Sequence, residues 1–296
     1  MSLMVLDYIK LKEIKPVLAG YLGNSKMLLL KSPVPDEKTI HDIRVLMKKS
    51  RSTIKLLISQ LEDETFKREY NSYREIGRIL CSWRESSVFR KTVKILKKEN
   101  SDLFLRLSDN KKLQDLLKKN ETNEADNEEI LKHTEQINTL LDKALYRLRF
   151  QSLDKLDPLL LLKELETTFE KVAKIYLQCR INPKPSQLHE FRKRTKDFLY
   201  QLYFFRPLNP AGIKNLEKRV DSLTQNLGKY NDLTQIISIL EYSDENPENT
   251  AEINELIVVI KDKQDIYLSK VWPTAYKLFC PGRKLLNVLG FKFLTI

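Results

Sequence analysis

Two stretches of this chain share the pattern that decides its fold, HDIRVLMKKSR at residues 41–51 and HEFRKRTKDF at residues 189–198. They begin half a chain apart, and a Pro-x-Pro stands shortly before each. In both, an acid follows the His, an Arg stands three residues after it, and a Lys stands seven residues after it. The correspondence indicates one ancestral unit used twice, and each copy predicts a helix that carries a row of cations.

The first run places its cations on one helical face. At about 100° per residue, His41 and four of the cations that follow it fall within an arc of about 80°, one for each turn of about 5.4 Å, namely Arg44, Lys48, Arg51 and Lys55. The apolar residues of the same run, such as Ile43, Met47, Ile54 and Leu57, centre roughly 120° away. The row is therefore predicted to flank the buried face and to line a groove beside the core.

The second run gives the same result, with Phe191 and Phe198 on the buried side. Two such rows facing each other would form a positive channel that suits a linear anion, since Arg makes bidentate phosphate contacts and Lys supplies point charges. The predicted polyanion-binding residues of both runs are His41, Arg44, Lys48, Lys49, Arg51, Lys55, His189, Arg192, Lys193, Lys196 and Tyr200.

Two plainer interpretations of these runs stay open. A row of charges is more often a solvated face or a set of salt bridges between helices than a binding site. A single His such as His41 or His189 is more often a hydrogen-bonded structural residue than a ligand. The duplication and the scarcity of acids within the runs favour binding.

The composition agrees with a helical, polyanion-binding protein. The chain has 296 residues, only 7 Gly and a formal net charge of +12, which favours nucleic acid, anionic membrane or polyphosphate as partners. Three widely spaced cysteines without a CxxC indicate reduced thiols, no disulfide framework and no cysteine-based zinc site. The sequence has no stretch of about 18 apolar residues, so no membrane span is expected. We expect a cytoplasmic location.

Helical periodicity runs along nearly the whole chain. We expect Asp36, Ser186 and Asp157 to be N-caps, each next to a proline. A looser correspondence pairs residues 75–85 with residues 223–232, which supports half-repeats of about 1–150 and 151–296 packed as one unit. The predicted helices are 5–21, 37–62, 66–98, 128–150, 157–180, 186–205, 211–242 and 250–279, with a shorter piece at 102–119.

The paired H-x-x-R-x-x-x-K helices resemble those of the CHAD family, the conserved histidine α-helical domain. The segment Leu227–Asp232 is similar to the family's L-G-x-x-x-D element. The resemblance spans the chain and implies a single all-α domain over residues 1–296, made of two four-helix bundles related by an internal pseudo-two-fold. It also implies non-enzymatic binding of inorganic polyphosphate in a central basic groove between the two repeats, without a cofactor or metal, and in some members association with polyphosphate granules.

Two other functions compete with polyphosphate binding. A metal-dependent phosphohydrolase could use His41-Asp42 and His189-Glu190, but an acid next to its His points about 100° away on a helix. His133 belongs to no evident constellation, and the chain has no Walker A motif. Sequence-nonspecific nucleic-acid binding through phosphates is allowed by the charge, although no helix-turn-helix or zinc finger is recognisable. Phosphate or sulfate ions would be expected to occupy the groove in crystals.

Overall fold

The computed structural model describes residues 9–31, 34–107, 127–153, 155–242 and 250–291. Within these ranges the chain is helical and contains no strand, which confirms the all-α prediction. Short 3-10 turns cover Leu11–Glu13, Ile58–Gln60 and Tyr203–Leu208. The α-helices are Ile14–Leu30 (α1), Glu37–Leu56 (α2), Asp63–Ile79 (α3), Cys81–Glu99 (α4), Ser101–Arg106 (α5), Asn127–Phe150 (α6), Pro158–Ile181 (α7), Pro185–Leu202 (α8), Pro210–Tyr242 (α9), Thr250–Phe279 (α10) and Leu285–Val288 (α11).

The long helices pack as two rings of four. In the first ring α1 contacts α2, α2 contacts α3, α3 contacts α6, and α6 returns to α1. In the second ring α7, α8, α9 and α10 follow the same order. The two His helices, α2 and α8, contact each other between the rings, and one continuous hydrophobic core includes residues of both. The packing agrees with two joined four-helix bundles, whereas the pseudo-two-fold and the half-repeats stay predictions.

The apolar spacing of the His helices explains where they lie. Ile43, Met47 and Ile54 of α2 are buried, and so are Phe191 and Phe198 of α8. The side chains between them carry the cations, which therefore stand at the edge of the core.

Two of the three predicted N-caps are confirmed. Asp36 accepts a hydrogen bond from the backbone N–H of Thr39 at 2.7 Å, and Asp157 accepts one from that of Leu159 at 2.8 Å. The cap predicted at Ser186 is wrong, because Pro185 takes the first helical position and Lys184 stands at the N-cap position, where its side chain makes no capping hydrogen bond.

Several predicted boundaries need correction. The first helix spans Ile14–Leu30 rather than 5–21, because the burial of Leu22 and Leu29 extends the apolar face past residue 21. The helix predicted at 66–98 is two helices that meet at Leu80, since α3 packs within the first bundle and α4 also reaches α9. Only the start of the piece predicted at 102–119 is seen, as α5, and the residues beyond 107 lie outside the described ranges.

A smaller core joins α4 and α5 to the ends of α9 and α10, through residues such as Phe89, Leu96, Leu233 and Ile260. It attaches α4 and α5, which belong to the first half of the chain, to the second bundle. No helix in the described ranges has both the length and the apolar character to cross a membrane.

Candidate functional site

A strongly basic cavity lies between α2 and α3. It has a volume of about 190 Å³. We call it the guanidinium cavity, and its lining contains no carboxylate. The lining residues are Arg44, Met47, Lys48, Arg51, Arg74, Gly77 and Arg78.

Two guanidinium groups of this cavity are only partly satisfied. One Nη of Arg44 donates to the carbonyl oxygen of Gly77 at 2.7 Å, which fixes the side chain against α3. The Nε atoms of Arg44 and Arg51 are buried and have no hydrogen-bond partner among the described residues. Leaving a buried charged donor unpaired costs free energy, and both of these arginines line the cavity.

The two arginines of α3 were missed by the sequence prediction. Arg74 and Arg78 stand four residues apart and therefore share one face of their helix. Arg78 donates two hydrogen bonds to the carboxylate of Glu75, at 2.6 and 2.9 Å. These bonds, and then the positive charges of Arg78 and Arg74, lower the pKa of Glu75. The i, i+4 pair of arginines was the signal in the sequence, but only the packing of α3 on α2 shows that it faces the predicted row.

The cations of α8 are held by partners within the second bundle. Lys193 pairs with Glu190 at 2.6 Å, and Lys196 pairs with Asp221 at 2.9 Å. The Nε of Arg192 donates to the carbonyl oxygen of Thr224 at 3.3 Å.

The neighbouring helix α9 also fits closely around this row. A Cβ atom at position 228 would stand 3.1 Å from an Nη of Arg192, so the glycine there allows the guanidinium to lie against α9. The ring Nδ1 of His189 lies 2.9 Å from the side-chain oxygen of Asn231. His189 and Arg192 thus connect α8 to the segment that resembles the family element.

One predicted binding residue joins the two His helices instead of lining the cavity. The ammonium of Lys55 lies 2.5 Å from a carboxylate oxygen of Asp197, with both side chains largely buried. Next to it, Ser52 donates to the carbonyl of Asp197 at 2.8 Å, and the amide of Gln201 donates to the carbonyl of Ser52 at 3.1 Å. These contacts fix the crossing of α2 and α8.

Lys49, Lys196 and Tyr200 form a separate group at the same crossing. The ammonium of Lys49 lies 5.7 Å from the ring centre of Tyr21 and 6.0 Å from that of Tyr200, and Lys196 lies 5.7 Å from the Tyr200 ring. Burial raises the pKa of Tyr200 to about 12. His41 is exposed near the start of α2 and is not among the residues that line the guanidinium cavity.

No group of three or more His, Cys, Asp and Glu residues within the described ranges is arranged to hold a metal ion. The side chains that line the guanidinium cavity offer guanidinium and ammonium groups as hydrogen-bond donors.

The comparisons with known proteins agree with this architecture. The family model of the CHAD domain matches residues 25–241, so the chain belongs to the CHAD family. Its structure is similar to the crystal structure of the CHAD domain from the plant Ricinus communis, with a TM-score of 0.50, 16% sequence identity and 92% of each chain covered. No curated protein matches the sequence. At this identity the structural likeness establishes the fold alone.

Proposed function

We propose that this protein binds inorganic polyphosphate at the guanidinium cavity and does not catalyse a reaction on it. The observation that carries the proposal is a lining of five cationic side chains without a carboxylate, in which two buried Nε donors have no partner among the described residues. Phosphate oxygens would supply the missing acceptors, and an Arg can take two of them at once.

The dimensions of the cavity favour a slender chain over a double helix. It lies between two packed helices and has a volume of only about 190 Å³. A DNA duplex is far wider, with a major groove alone of about 12 Å, so its phosphates would reach only the rim. A polyphosphate chain carries comparable charge on a single flexible strand and could enter.

The residue types in the lining support binding rather than catalysis. Arg stays protonated in proteins, and Met and Gly offer neither a general base nor a nucleophile. Lys48 and the four arginines of the lining supply positive charge to a bound anion.

Calorimetry with polyphosphate and with a DNA duplex of the same total charge tests the proposal. We expect tighter binding of polyphosphate, which weakens steeply with salt as counterions are released. Equal affinity for the two would favour nonspecific phosphate binding, and no binding of polyphosphate would overturn the proposal. Incubation with polyphosphate and Mg²⁺ or Mn²⁺ should release no orthophosphate, whereas sustained release would show an enzyme.

The proposed location is the cytoplasm and, in a cell that stores polyphosphate, the surface of its granules. A fluorescent fusion should co-localise with polyphosphate stain and lose that pattern when the cavity arginines are replaced. If those replacements leave the pattern unchanged, the location of the protein does not depend on the guanidinium cavity.

A further inference from the structure

A second cavity, of about 410 Å³, lies on the other side of α2, against α1. It shares no lining residue with the guanidinium cavity. Its volume is in the range of small-molecule sites, about 300–1,000 Å³. We call it the α1–α2 cleft, and its lining residues are Asn24, Met27, Leu28, Lys31, Asp42, Val45, Leu46 and Lys49.

The cleft has a polar group at each end and an apolar middle. On α2, Asp42 and Lys49 mark the two ends, about 10 Å apart along the helix axis, with Val45 and Leu46 between them. A short link joins α1 to α2, so the two contacting helices run antiparallel. Asn24 therefore stands towards the Lys49 end and Lys31 towards the Asp42 end, with Met27 and Leu28 between.

The two ends differ in charge balance. The Asp42 end carries one residue of each sign, because Lys31 lines it too. Lys49 is half-buried, its contacts are the rings of Tyr21 and Tyr200, and no carboxylate of the described residues lies within ion-pair distance. The Lys49 end is therefore a cation without a counter-ion.

The neighbours of Lys49 increase this imbalance. Burial, and then the charges of Lys196 and Arg206, hold the pKa of Lys49 below its ordinary value. The nearby acids are already paired with these two neighbours, Asp221 with Lys196 at 2.9 Å and Glu217 with Arg206 at 2.8 Å. An anion bound at Lys49 would relieve the repulsion and keep the ammonium charged.

The apolar middle determines what kind of anion fits. Met27 is 65% exposed, and the cleft continues beside it to Leu28, Val45 and Leu46. A polyphosphate chain carries a charge on every unit and would lose hydration against these side chains without gaining a partner. A ligand with one anionic head and an apolar body is stabilised both by the charge of Lys49 and by burial of its body in the apolar middle.

We propose that the α1–α2 cleft binds a small amphiphilic anion, with its carboxylate or phosphate head at Lys49 and its apolar body between Met27, Leu28, Val45 and Leu46. The site is distinct from the guanidinium cavity and does not depend on polyphosphate binding there. Lys48 and Lys49, adjacent in sequence, serve two different ligands because they point about 100° apart on the helix.

Calorimetry of the full chain with octyl phosphate, octanoate, octanol and inorganic phosphate tests this assignment. Octyl phosphate should bind at least about tenfold more tightly than inorganic phosphate or octanol, since both parts of the ligand contribute. Octanoate compared with octyl phosphate identifies the preferred head group. Equal binding of octyl phosphate and inorganic phosphate would overturn the proposal, because the apolar middle would then contribute nothing.

Two variants with the same charge change separate this site from the other. Lys49→Met should weaken octyl phosphate binding about tenfold or more and leave polyphosphate binding intact, whereas Lys48→Met should do the reverse. Val45→Thr, which keeps the side-chain shape, should weaken octyl phosphate but not inorganic phosphate. If Lys48→Met and Lys49→Met weaken octyl phosphate equally, its binding is general attraction to a basic surface and the proposal fails, whatever the result with polyphosphate.

Discussion

The two His helices carry the same pattern but place its cations in different surroundings. Beside α2, Arg44 and Arg51 line a cavity that α3 supplies with further arginines and that contains no carboxylate. On α8, Lys193 and Lys196 each pair with a carboxylate, and Arg192 bonds the backbone of α9. The pattern therefore sets where a cation stands on its helix. Whether that cation has a partner depends on the acids near it, which stand on α8 itself for Lys193 and on α9 for Lys196.

The largest expected effect is on polyphosphate binding, when three positive charges are removed at the guanidinium cavity and the result is compared with removal of three from α8. Lys48→Gln, Arg51→Gln and Arg74→Gln together should weaken polyphosphate binding about 100-fold or more, because several charge-assisted contacts are lost. Lys193→Gln, Arg194→Gln and Lys196→Gln remove the same charge from α8 and should cost no more than about threefold. Calorimetry at one salt concentration, with circular dichroism as a check of folding, measures both. Similar losses would show that the two helices contribute equally.

A smaller effect is expected on stability at the point where α2 meets α8. Asp197→Asn leaves the ammonium of Lys55 without its carboxylate in a largely buried position, and should lower the free energy of unfolding by about 1–2 kcal/mol. Asp142→Asn is the matched control, since the pair of Asp142 with Lys26 is more exposed and should contribute less than about 0.5 kcal/mol. Chemical denaturation measures the free energy of unfolding of both variants. Equal losses would show that the ion pair at the crossing of α2 and α8 stabilises the protein no more than an exposed one.

A pH-dependent effect is expected at Lys49. Its pKa is lowered in the folded protein by burial and by the positive charges of Lys196 and Arg206, so the unfolded chain binds more protons and stability rises with pH. The gain develops as pH rises through the folded pKa towards the ordinary value of 10.5. Lys49→Met should therefore raise the melting temperature at neutral pH, by an amount that shrinks as the pH approaches that value.

Lys38→Met, on the exposed face of the same helix, is the control for this measurement. It should give no such pH-dependent gain. A gain at Lys49 that stays constant with pH would show that packing, rather than charge, explains the change.

The smallest expected effect sharpens the description of the guanidinium cavity. Glu75 holds Arg78 at its rim, so Glu75→Gln should release the arginine and strengthen polyphosphate binding about two- to threefold. Glu64→Gln, exposed near the start of α3, removes the same charge and should change binding less. Weaker binding in Glu75→Gln would mean that the acid orients Arg78 for the ligand.

Much of the fold followed from the sequence, because the apolar spacing of α2 and α8 determines which faces are buried. The break at Leu80 did not, since it depends on α3 and α4 having different packing partners. Arg44, Lys48 and Arg51 could be grouped from helical geometry alone. The sequence could not add Arg74 and Arg78 to this group, because their position depends on how α3 packs on α2. It also could not separate Lys49 and Lys55 from the row, because their positions depend on contacts with α1 and α8.

The measurement that tests the central claim most directly is a crystal structure of the protein with a short polyphosphate. Phosphate oxygens are expected within hydrogen-bond distance of the Nε atoms of Arg44 and Arg51, with Arg74 and Arg78 turned towards the chain. Phosphates bound along Lys193 and Lys196 of α8, with none in the guanidinium cavity, would contradict the account.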